Sequence, residues 1–175
     1  MKKFCVVTNS YKDKQLKIAH VISDYIYAHG GTCMIIDNVD EETGDFKILS
    51  VDEVPEGTEC VISIGGDGTL LHAAKDLNDL DAVFVGVNKG TLGFLAEISP
   101  DEISSSLDKL LNNQFHIESR MMLQGDVRRD NKVVYSSVVL NDIVIHRGDE
   151  LAITDYDVFV NGDMLGTYPV SYTHL

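Results

Sequence analysis

The feature that most constrains this chain is a seven-residue turn, Gly65-Gly66-Asp67-Gly68-Thr69-Leu70-Leu71. An apolar run, Cys60-Val61-Ile62-Ser63-Ile64, leads into it and reads as a buried strand. Leu70, Leu71, Ala73 and Ala74 follow and read as the start of a helix. A buried strand that turns directly into a helix belongs to an α/β layer architecture. Three glycines let the backbone at this turn come close to another molecule, and one carboxylate stands among them.

The flanking segments agree with that architecture. Residues 4–8 are a short apolar strand ended by Asn9 and Ser10. Over residues 14–29, Leu16, Ala19, Ile22 and Ile26 share one helical face, and Gly30-Gly31 supplies the stop. Residues 33–36 form the next strand, which completes a unit with parallel strands. Residues 38–59 are rich in Asp and Glu, with Gly44, Pro55 and Gly57 as breakers, and read as a solvated, mobile connection without a site. Another strand, Val83-Phe84-Val85-Gly86-Val87, precedes a helix announced by Ser99-Pro100-Asp101-Glu102. Ile103, Leu107, Leu110 and Leu111 fall on one face of that helix, and Asn112-Asn113 ends it.

From Phe115 onward the pattern is strand-like. Residues 121–129 and 133–140 form an expected hairpin about Asp130-Asn131. Residues 155–160 and 164–168 flank Asn161-Gly162, the strongest hairpin signal in the chain. The expected organisation is a Rossmann-like parallel-sheet domain over residues 1–113, then an incomplete all-β domain of β-sandwich type over residues 114–175.

Acidic residues number 28 against 14 basic ones, for a formal charge of −14. Such a surface repels a phosphate backbone and anionic lipid, which disfavours nucleic-acid and membrane roles. Cys5, Cys33 and Cys60 all sit in apolar runs, and their odd number implies buried free thiols in a reducing compartment. The apolar run after Met1 is too short for a signal peptide or a membrane span, so the chain reads as cytosolic.

Phosphoryl transfer needs a cradle for polyphosphate and a group that accepts the attacking hydroxyl's proton. Gly65, Gly66 and Gly68 offer backbone N–H groups, and the helix starting near Thr69 adds its positive end. Thr69 can donate a hydroxyl to a phosphate oxygen, and Asp67 can act as general base. An Asp-Gly pair at a strand end is also an ordinary turn. Neither the P-loop pattern with its Lys nor G-x-G-x-x-G occurs in this loop, which argues against a Walker-type ATPase or a Rossmann dehydrogenase.

Residues 65–71 resemble the signature of the NAD kinases, and a shorter Gly-Gly-Asp-Gly also occurs in phosphofructokinases and diacylglycerol-type lipid kinases. Asn88-Lys89-Gly90-Thr91-Leu92-Gly93-Phe94-Leu95 resembles the NAD kinase N-x-G-x-L-G-F-L run. Leu140-Asn141-Asp142-Ile143-Val144-Ile145-His146-Arg147-Gly148 resembles a second run, and Arg120-Met121-Met122-Leu123 resembles the strand start between them. The resemblance implies ATP-dependent phosphorylation of NAD at the adenosine ribose 2′-hydroxyl, giving NADP, with a divalent cation such as Mg2+. It makes Asp67 the base that takes the hydroxyl proton, with Gly68, His72, Asn141 and Asp142 as further NAD contacts. Asp142 stands where the family more commonly has Glu, one methylene longer. The family also implies a homo-oligomer, built through its β domain.

Taken alone, several of these residues stay open. Asn88 and Gly90 lie past a strand's end, where α/β sheets place ligands, or they shape a loop. Asn141 and Asp142 interrupt an apolar strand as a bulge or as ligands. His72 reads as a surface residue, and His146-Arg147-Gly148 as an exposed turn or a substrate clamp. Pro169-Val170-Ser171-Tyr172-Thr173-His174-Leu175 has no counterpart in the family, so a foreign tail on a truncated chain is expected. Such a chain is expected to be poorly soluble or inactive. Another Gly-Gly-Asp-Gly kinase acting on a lipid or sugar hydroxyl, or an inactive nucleotide-binding module, are the alternative functions.

Overall fold

The computed structural model describes residues 1–40, 42–89, 95–145 and 154–170. The chain divides into two compact units, Met1–Asn141 and Asp142–Leu175.

The first unit is built on a four-stranded parallel sheet. Its strands are β1 (Lys3–Thr8), β2 (Thr32–Asp37), β3 (Cys60–Gly65) and β4 (Val83–Asn88), in the order β2-β1-β3-β4. Three helices cover the sheet: α1 (Lys17–Ala28), α2 (Asp67–Asp76) and α3 (Ile103–Leu111). β1 and β3 are buried almost throughout, as expected of parallel strands with both faces covered. Ala19, Ile22 and Ile26 of α1 and Ile103, Leu107 and Leu110 of α3 pack with Phe4, Val6 and Ile62 in one core layer. Ala73 and Leu77 pack with Cys5, Val7 and Val61 in the other.

Local chemistry sets the helix ends. Gly30 is left-handed, and the Gly31 and Gly30 amides donate to the Ile26 and Tyr27 carbonyls, the paired bonds of a Schellman stop. Ser99 and Glu102 form a reciprocal capping box ahead of α3.

The acidic connection after β2 is more ordered than its composition suggests. Leu49 and Val54 are buried in the second core layer, and the Leu49 amide donates to Asp76 Oδ2 at 3.1 Å. Two apolar anchors among the acids are enough to fasten it beside α2.

Two-stranded ribbons follow the α/β part. β5 (Leu123–Arg129) and β6 (Lys132–Val139) pair antiparallel about Asp130 and Asn131, both left-handed. In the second unit β7 (Thr154–Val160) and β8 (Asp163–Val170) pair about Asn161-Gly162, again both left-handed. The ribbons leave Val127, Val133, Val134 and Tyr135 exposed in the first unit, and Phe159, Met164 and Leu165 in the second. Among the described residues no helix is long and apolar enough to cross a membrane.

All three cysteines are buried free thiols. Burial pushes Cys5 and Cys60 up to about 12 from an ordinary 9.0, with Cys33 beside Cys5 adding to the shift. Below pH 9 both folded and unfolded thiols keep their protons and the stability contribution is whole. Between pH 9 and 12 only the unfolded chain releases them, so stability falls as pH rises across that window. A disulfide reagent at pH 8 is expected to leave these thiols untouched in the native chain and to label them in urea. Rapid labelling of the folded chain would contradict this burial.

Candidate active site

β3 runs into the glycine turn in register with β4. Gly65 pairs with Asn88, the last residue of β4, and the Lys89 amide donates to the Gly65 carbonyl at 2.8 Å. Gly66 caps α2 in an extended conformation, and Asp67 is the first helical residue. The glycines have different reasons to be there. A Cβ on Gly65 would come within 2.1 Å of Thr69 Oγ1, so the fold itself demands glycine. A Cβ on Gly66 or Gly68 would meet nothing within 4 Å. Their bareness leaves open space over the first turn of α2, where unsatisfied N–H groups and the positive helix end favour an anion. Thr69 Oγ1, in the same turn, is buried and has no hydrogen-bond partner.

Asp67 is half-buried and fastened from a distance. Its Oδ1 accepts from the backbone amides of Leu95 at 3.1 Å and Ala96 at 3.0 Å. That segment returns along β4: the Ile98 amide donates to the Gly86 carbonyl, and the Asn88 amide to the Ile98 carbonyl. A Cβ on Gly86 would lie 2.7 Å from Ala96 Cα, so glycine at this point lets the two backbones cross. The carboxylate is thus oriented both by the start of α2 and by the strand-side segment.

The sheet order reverses direction between β1 and β3, the place where open α/β sheets take ligands at their carboxyl ends. Residues beyond the sequence-predicted set line this edge. Asp13 is buried, and its carboxylate accepts from the Ile18 amide at 3.1 Å and the Ala19 amide at 3.0 Å, capping α1. Lys89 reaches across from β4 with its Nζ 3.5 Å from Asp13 Oδ1, and it donates to the Lys12 carbonyl. The Lys12 ammonium lies 4.7 Å from the centroid of the Phe46 ring, and that ring stacks on His72 at 4.3 Å. His72 is itself exposed, on α2. A helix cap four residues ahead of its helix, and a lysine 76 positions from its partner, leave no periodic trace in sequence.

The predicted site residues do not all gather at this point. Gly65, Gly66, Asp67, Gly68, Thr69 and Asn88 converge at the ends of β3 and β4. Asn141 is exposed, two residues past β6, in the same unit; β6 itself lies against α2. Asp142 belongs to the second unit. Residues 90–94, with Gly90 and Phe94, and residues 146–148, the His-Arg-Gly run, lie outside the described residues.

Residues 5–115 match the model of the ATP-NAD kinase N-terminal domain. The chain belongs to the NAD kinase family. It is 39% identical over 171 residues to the NAD kinase of Lachnospira eligens, covering 96% of this chain and 58% of that relative. It is 39% identical over 170 residues to the NAD kinase of Lachnoclostridium phytofermentans, covering 96% of this chain and 59% of the relative. The chain therefore spans somewhat over half the length of the NAD kinases it matches. A crystal structure of yeast NADH kinase complexed with NADH has the same fold, with a TM-score of 0.76 at 19% identity, covering 97% of this chain and 56% of that one. The Rossmann-like sheet and the antiparallel strand pairs after it are the architecture expected of an NAD kinase.

The divalent cation implied by the family finds no cage of its own here. Among the described residues no three His, Cys, Asp or Glu side chains converge to hold a metal.

Proposed function

We propose that this chain carries the phosphoryl-transfer half of an NAD kinase, which phosphorylates the adenosine ribose 2′-hydroxyl of NAD from ATP to give NADP. One observation carries the reading: Asp67 stands between two glycines whose side-chain space is empty, at the start of a helix, with its carboxylate fixed by two amides. Gly65, Gly66 and Gly68 cradle the transferring phosphate through the amides of the loop and of the helix start, and Thr69 offers its unpartnered hydroxyl. The 2′-hydroxyl oxygen forms the new bond to the terminal phosphorus, its proton passes to the Asp67 carboxylate, and the bond to ADP breaks. Gly68, His72, Asn141 and Asp142 are proposed NAD contacts, and the cytoplasm is the proposed compartment.

NADP formation from NAD and ATP tests this, in the presence of magnesium. It is best measured on the chain alone and on a chimera joining it to the remainder of the Lachnospira eligens relative. The chimera is expected to make NADP. A folded chimera that binds both substrates and makes none would overturn the reading. Offering NADH in a parallel reaction separates an NAD from an NADH preference.

A further inference from the structure

Three side chains from separate segments meet beside the glycine turn. The Phe46 ring stacks on the His72 imidazole, with centroids 4.3 Å apart and planes 24° from parallel. The Lys12 ammonium lies over the same ring, 4.7 Å from its centroid. Phe46 is half-buried and belongs to neither core layer, so the packing of the fold does not account for it.

The connection that carries Phe46 is held on both sides of it. Asp40 Oδ1 accepts from the Glu42 and Thr43 amides at 3.0 Å, and the Gly44 amide donates to the Asp40 carbonyl, which closes a tight turn. A Cβ on Gly44 would lie 3.9 Å from the Tyr11 ring, so this turn rests on the loop after β1. Three residues beyond Phe46, the Leu49 amide donates to Asp76 at the end of α2. Phe46 thus sits between the loop that carries Lys12 and the helix that carries His72.

Both partners of the ring stand near the open space over α2. His72 lies one turn along the helix from Gly68, on the same face, and a Cβ on Gly68 would meet nothing within 4 Å. The buried, unpartnered Thr69 hydroxyl is in the same first turn. The Lys12 carbonyl accepts from Lys89 Nζ, and the Lys89 amide donates to the Gly65 carbonyl, which ties the loop to the glycine turn. The chain has a charge of −14, yet among the described residues the Lys12 ammonium has no carboxylate partner. It rests over a neutral ring, which orders the side chain and leaves its charge uncommitted. A lysine ordered in advance loses less rotamer freedom when an anion arrives.

We propose that Phe46 is a positioning residue for phosphoryl transfer, presenting the Lys12 ammonium and the His72 imidazole to a polyphosphate chain at the first turn of α2. The inference rests on the phosphoryl-transfer reading and adds to it a residue of the acidic connection that touches no substrate itself. The ligand chemistry is that of linked phosphates, carried by NAD and by ATP alike, and kinetics tell the two apart.

Calorimetric titration of the 175-residue chain with inorganic tripolyphosphate is the first arm of the test. Phe46→Leu keeps an apolar side chain and removes the ring. It is expected to weaken binding about three- to tenfold, the scale of one cation–π contact and one ring stack. Phe46→Tyr should restore the affinity. In a chain already carrying Lys12→Ala and His72→Ala, Phe46→Leu should change nothing further, because the ring acts only through those two residues. The thermal midpoint of Phe46→Leu should match that of the unchanged chain, since Leu49 and Val54 still pin the connection. In the chimera, Phe46→Leu should raise the KM of one substrate at constant kcat. A rise for NAD assigns its pyrophosphate to Lys12 and His72, and a rise for ATP assigns the donor's polyphosphate. Unchanged tripolyphosphate affinity in Phe46→Leu overturns the proposal. So does no binding of tripolyphosphate at all, failure of Phe46→Tyr to restore it, or an equal loss in the chain without Lys12 and His72. A chimera that makes NADP with both KM values unmoved by Phe46→Leu sinks the role of Phe46 and leaves the kinase reading standing. The full set of tripolyphosphate effects in a chain whose chimera makes no NADP does the reverse.

Discussion

Asp67→Asn in the chimera is expected to lower NADP formation about 10²–10⁴-fold, the usual contribution of a positioned general base. The fold should barely notice. The amide oxygen of Asn can still accept from Leu95 and Ala96, so the segment beside β4 stays fastened. Asp67→Ala is the informative partner. It removes both acceptor oxygens, leaves two backbone amides without their bond, and is expected to cost about 1–3 kcal/mol of stability on top of the lost rate. Thermal unfolding and turnover measured on both variants separate chemistry from fastening. An Asn variant with near-normal turnover would show that Asp67 is a strut and not a base.

The glycines give the second large effect, and here the two properties move apart. Gly65→Ala drives a methyl group into the Thr69 side chain and should destabilise the first turn of α2 by about 1–3 kcal/mol. Gly68→Ala meets no protein atom within 4 Å and sits inside a helix, so stability should hold or rise by up to about 1 kcal/mol. Its affinity for tripolyphosphate should nevertheless fall at least about tenfold, because the methyl group occupies the approach of the phosphate. Chemical denaturation and titration decide the matter together. A Gly68→Ala chain with unchanged affinity would mean that the empty space over the turn belongs to no ligand.

What could be read from residues alone was what short-range chemistry writes. The buried strand before Gly65, the helix after it, the Gly30-Gly31 stop, the Ser99 cap and the two hairpin turns each depend on neighbours within a few positions, and each is found in place. The resemblance added the family. What stayed hidden was long-range. Asp67 finds its amide partners 28 and 29 residues away, and Lys89 finds Asp13 across the sheet edge. The buried Asp13 carries no mark of its own in the sequence, because a cap is told from a surface acid only by where its helix begins. Composition misdirected once, where Leu49 and Val54 pin an acidic stretch that reads as solvated.

The position of the core along the chain has a consequence for how this protein comes into being. Every buried hydrophobic residue among the described ones lies at or before Leu110. All of the burial among the described residues thus lies ahead of β5 in the chain, and the parallel sheet can close without waiting for the ribbons. The ribbons then add little cooperative protection of their own, since isolated two-stranded pairs are marginal in water. The molecule should open in two tiers, the ribbons at low cost and the sheet only with global unfolding. The phosphate cradle belongs to the resistant tier, whereas Asn141 and Asp142 lie beyond its last buried anchor.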